Sequence, residues 1–101
     1  MIDNSQKYMV EFVVPSYFSN DMEELVASQQ LVLERLFYEG KIFSCTVSMD
    51  LTKLWMVMIA DTESELLAII DKLPIAAVCD YNYKELLVHN TVQFIPENSL
   101  N

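Results

Sequence analysis

A single glycine, a single histidine, a single arginine and only two cysteines mark this chain of 101 residues more clearly than anything it has in abundance. One glycine cannot build a phosphate-cradling loop or a dinucleotide fingerprint, both of which need several. Cys45 and Cys79 stand far apart with no CxxC and no nearby histidine, which excludes zinc-knuckle and thioredoxin patterns. They read as two reduced, buried thiols acting as small hydrophobes. One histidine and two scattered thiols leave no ligand set for a transition metal, so neither metal nor cofactor is expected. No serine sits in a nucleophile elbow, which removes support for a hydrolase triad.

Positive charge is also scarce. Six Lys+Arg face fifteen Asp+Glu, for a formal charge of −9. Such a surface repels phosphate backbones and anionic lipid, so no nucleic-acid and no membrane partner is expected. The start "MIDNSQK" lacks the apolar core of a signal peptide, and the longest apolar run, "LWMVMIA", is far shorter than the roughly 20 residues that span a bilayer. A cytoplasmic location follows as the default.

What is present is apolar: 52% of the residues are hydrophobic. That is more than one small domain usually buries alone, and it raises the expectation of a subunit partner. "YMVEFVV" (8–14) reads as a strand closed by Pro15. A helix is then expected from Asp21, with Asn20 and Glu23 as a capping box and Gly40 as its left-handed stop. "KIFSCTVSM" and "KLWMVMIA" read as two strands of a hairpin turning near Asp50 and Thr52. Thr62 and Glu65 cap a second helix that Pro74 ends, and a fourth strand is expected near 78–88. Residues 91–101, with "TVQFIP", add a short fifth strand or a tail.

The order β-α-β-β-α-β predicts one ferredoxin-like α+β domain over 1–101, an antiparallel four-stranded sheet with two helices on one face. Its second face should be polar, yet Trp55, Val57 and Ile59 oppose Leu54, Met56 and Met58 across the third strand. Each large side chain left in water forgoes roughly 1.5–3 kcal/mol of burial. Two sheets packed face to face relieve that cost, so a homodimer, or a larger oligomer built from dimers, is predicted as a dimeric α+β barrel. A C-terminal tail folded over the second face is the rival arrangement.

Few side chains suggest chemistry. His89 titrates near neutrality and could shuttle protons, although a polar residue closing a strand is the commoner role. Glu11 interrupts an apolar strand. Buried, it would have a raised pKa and serve as a base; at a strand edge it would simply reach water. Ser44, Thr46 and Ser48 form a hydroxyl row that could orient a small ligand, or be a solvated or hairpin-paired face. Gln29 lies close to the apolar stripe of the first helix, where its amide needs a partner. Tyr81 and Tyr83 share a face of the last strand with Glu85 and His89. Arg35 is the only possible guanidinium clamp for a carboxylate, with a surface ion pair to Glu34, Glu39 or another acid the commoner alternative.

A helix ending in Glu39-Gly40, a hairpin, a second helix ending in Leu73-Pro74, and a last strand carrying Asp80, Leu86 and His89 together resemble the muconolactone isomerase-like proteins of the dimeric α+β barrel group. The resemblance implies metal-free proton transfer within an unsaturated lactone carboxylate, as in bacterial breakdown of aromatic compounds, and dimers that assemble further. His89 matches a family histidine near the end of the last strand. Where that family is rich in Trp, Arg and His after the Glu-Gly turn, this chain has "KIFSCTVSM", with Lys41 its only cation. An anionic substrate would lack its counter-charge there.

Three functions follow as expectations. The first is a cofactor-free isomerase with Glu11 and His89 as acid–base groups in a pocket between sheet and helices, and Gln29, Ser44, Trp55, Tyr81 and Tyr83 around a small-molecule ligand. The second is a non-catalytic oligomeric ligand-binding or interaction domain. The third is a cofactor-free monooxygenase with Trp55, Tyr81 and Phe43 walling a quinone-like substrate.

Overall fold

The computed structural model describes residues 6–16 and 22–88. Four strands, β1 (Gln6–Val13), β2 (Ile42–Val47), β3 (Lys53–Ala60) and β4 (Asp80–Leu86), form one antiparallel sheet in the order β2-β3-β1-β4. Helices α1 (Met22–Ser28), α2 (Gln30–Tyr38) and α3 (Glu63–Asp71) complete the ferredoxin-like arrangement. The expected capping box at Asn20, His89, and the fifth strand or covering tail lie outside the described residues.

The first helix is expected to be continuous but is interrupted at Gln29, whose φ and ψ of −98° and 6° leave the helical well. Ser28 contributes by turning its hydroxyl back onto the Leu25 carbonyl, 2.8 Å away, in competition with the backbone ladder. Gly40 ends α2 at φ +73°, with nothing within 4 Å of a would-be Cβ, so the position selects glycine for its backbone and not for space. Its N–H donates to the Phe37 carbonyl and that of Lys41 to the Leu36 carbonyl, the paired bonds of a Schellman stop. At α3 the Thr62 hydroxyl accepts from the Glu65 N–H at 3.1 Å, while the Glu65 carboxylate accepts from the Asp61 N–H. Pro74 does not merely end α3: it opens a 3₁₀ turn, Pro74–Ala77, before β4.

The core lies between the helices and one sheet face. Val10, Phe12, Leu54, Met56 and Met58 meet Leu66, Ile70, Leu73 and Ile75, all almost fully buried. A bulge at Phe43 makes this possible in β2. Ile42 pairs with Met58 and Ser44 with Val57, so one extra residue lets Ile42 point inward and Ser44 outward. The hairpin turn is held by Asp50, whose carboxylate accepts from the Ser48 hydroxyl and from the Thr52 N–H and hydroxyl. Ser48 therefore belongs to the turn and not to a ligand-facing hydroxyl row.

Candidate functional site

Register sets which side chains share the outer sheet face. Glu11 pairs with Trp55 on β3 and Asn82 on β4, so these three stand side by side across the centre of the sheet. The Trp55 indole N–H donates to Glu11 Oε1 at 2.9 Å, and Lys53 Nζ lies 3.8 Å from the same oxygen. The indole hydrogen bond chiefly lowers the Glu11 pKa, with Lys53 and Asn82 adding to it against partial desolvation. Glu11 is not buried, so the condition for a raised pKa is not met and its pKa is lowered; its carboxylate reaches water, but from a central strand and not from an edge.

The expected pocket between sheet and helices does not contain Glu11, which points away from that core. Trp55 and Ser44 share the outer face with it, Ser44 through its pairing with Val57. Tyr81 and Tyr83 face the helices instead, because they pair with Phe12 and Val10 on the inward side of β1. Tyr81 packs on Phe12 with ring centres 5.7 Å apart, and Tyr83 meets Tyr8 edge-on at 6.3 Å. The Tyr83 hydroxyl donates to Glu63 at 2.7 Å, and this bond raises its pKa. Gln29 is wholly buried; its Oε1 accepts from the Ile75 N–H at 3.1 Å and its Nε2 has no partner. The seven expected site residues thus divide among the outer face (Glu11, Ser44, Trp55), the helix side (Tyr81, Tyr83), the core (Gln29) and the segment beyond description (His89).

Sequence reading missed Lys53 and Asn82 as partners of Glu11. Only strand register brings them there, and no local spacing announces it. Arg35 pairs with neither Glu34 nor Glu39, and among the described residues the ion pairs are Lys41–Glu65 and Lys53–Glu11. It lines a cleft of about 430 Å³ with Leu31, Val32, Leu36, Glu39 and Lys72.

No family model matches the chain, and no curated protein matches it. Among solved structures, a dimeric ferredoxin-like protein from an uncultured marine organism aligns with a TM-score of 0.53 at 14% identity, over 91% of this chain and 95% of the other. A protein described as a candidate antibiotic biosynthesis monooxygenase from Nitrosomonas europaea aligns with a TM-score of 0.49 at 14% identity, over 85% and 89% of the two chains. The ferredoxin-like fold is therefore shared with the marine protein, whereas membership of the muconolactone isomerase-like family is not shown.

Proposed function

We propose that the chain is a self-associating ferredoxin-like module in which two copies meet through their outer sheet faces, serving as an oligomeric binding or interaction domain. The distribution of charge over that face carries this reading. The outer positions of the four strands hold three of the chain's six cations, Lys7, Lys53 and Lys84, but only two of its fifteen acids, Glu11 and Asp80. Between them stand Met9, Trp55, Ile59 and Leu86, all half-buried, around Val57, which is already buried. An acidic chain that keeps all but two of its carboxylates off one face lowers the electrostatic obstacle to pairing there. The solved ferredoxin-like protein of similar fold is described as dimeric, which is consistent with this arrangement.

Proton transfer is less well supported. A general base works best with a pKa near the operating pH, and the surroundings of Glu11 move it the other way. Its carboxylate instead orders Trp55 and Lys53 on the pairing face.

Sedimentation or light scattering tests the proposal. The native chain is expected as a dimer at micromolar concentration, and Met9→Glu with Ile59→Glu is expected to give a folded monomer. A native monomer would defeat the pairing. Turnover of a lactone or enol acid that Glu11→Gln abolishes, with the fold retained, would replace the binding role by proton transfer.

A further inference from the structure

The outer sheet face does not use the chain's only arginine. Leu31, Val32, Arg35, Leu36 and Glu39 fall on one face of α2 and its cap, and Lys72, the C-cap residue of α3, closes the cleft from the other side. Leu36 forms a buried floor at 3% exposure and Leu31 an open rim at 80%. Neither Arg35 nor Lys72 makes an ion pair among the described residues, although the chain has more than twice as many acids as bases. Among the described residues, two cations without ion pairs thus line a cleft that is half charged and half aliphatic, in a protein that is otherwise strongly acidic.

We infer that this cleft binds a small aliphatic monocarboxylate, with its head between Arg35 and Lys72 and its tail along Leu31, Val32 and Leu36. The guanidinium offers the planar fork that grips a carboxylate through two parallel bonds. Charge selects a monoanion. Arg35 and Lys72 contribute two positive charges and Glu39 one negative, so one carboxylate neutralises the cleft and a dianion overfills it. The volume, 430 Å³, lies within the roughly 300–1,000 Å³ of small-molecule sites. Because α2 packs on the sheet face opposite Glu11, the cleft stays open when two outer faces pair, and it stands independently of the oligomeric reading.

Octanoate, octanol and octyl phosphate titrated into the labelled full-length chain, followed by amide shifts in NMR, test the inference. Octanoate is expected to move the amides of Leu31, Val32, Arg35, Leu36 and Lys72, and to bind at least about tenfold more tightly than octanol, a preference of about one decade in Kd. Arg35→Met and Lys72→Met, which keep an apolar stem, should each remove most of that preference, while Glu39→Gln should tighten octanoate and admit octyl phosphate. Equal binding of octanoate and octanol, shifts confined to another surface, or unchanged affinity in both methionine variants would overturn it. Light scattering on the same samples reads dimerisation separately.

Discussion

Trp55 and Glu11, separated by 44 positions in the chain, face each other across β1 and β3 and join by a 2.9 Å hydrogen bond from indole to carboxylate. The bond places a negative charge at the middle of the outer sheet face and keeps it ionised. Removing the donor alone should therefore move the acid. In Trp55→Phe the Glu11 pKa, read by carbon-13 NMR of its carboxyl, is expected to rise toward the ordinary glutamate value. Lys53→Met should raise it less, since Lys53 stands at 3.8 Å and is the weaker influence. A larger rise in Lys53→Met would mean that charge, not the indole, holds Glu11 down.

Acid should weaken the fold from the carboxylate side. Glu11 is lowered chiefly by Trp55, Glu65 by the 2.9 Å bond from Lys41, and Asp50 by Thr52 in the hairpin turn. The unfolded chain takes up protons on these groups before the folded chain does. Stability is therefore complete above the ordinary values of 4.5 and 3.8, and declines as pH falls through the lower folded values. Chemical denaturation across that range should show the decline, and Glu65→Gln should make it shallower. A flat profile would show that these bonds do not distinguish folded from unfolded chain.

The parts of this architecture that were legible in sequence are those governed by local pattern. "KLWMVMIA" is β3 residue for residue, because a dense apolar run between polar breaks has one natural reading. Gly40 and Thr62 marked helix ends because backbone chirality and an orphan N–H constrain residue type directly. The buried amide of Gln29 was foreseeable from its place beside the apolar stripe. The helix interruption there was not, because apolar spacing continues on both sides and the anchoring contact, Ile75, is 46 positions away. The grouping around Glu11 was hidden for the same reason: strand register decides it.

Gln29 should be costly to remove. Its Oε1 is the acceptor for the buried Ile75 N–H, and leaving such a donor unpaired costs about 1–3 kcal/mol. Gln29→Ala adds a cavity and should destabilise by about 2–4 kcal/mol in urea denaturation. Gln29→Met fills the volume and removes the unpartnered Nε2, so it should cost less than alanine. Equal losses in the two variants would show that packing plays no part.

Salt should strengthen the proposed pairing. Two copies of formal charge −9 repel over a distance that salt shortens to about 8–10 Å near physiological ionic strength. The dimer Kd measured by sedimentation is expected to fall as sodium chloride rises from low to moderate concentration. A Kd that rises instead would point to Lys–acid contacts across the interface as the dominant attraction.

Among the described residues, the order β2-β3-β1-β4 leaves β2 and β4 with unpaired margins, each able in principle to recruit a stranger's backbone. β2 is six residues long and broken by the extra Phe43, and β4 carries Asp80, Lys84 and Glu85. A short, kinked margin and a charged one are poor templates for ribbon growth. The pairing proposed for the broad side of the sheet is two-fold, so it closes on itself and stops, and the chain can associate there without polymerising into fibres.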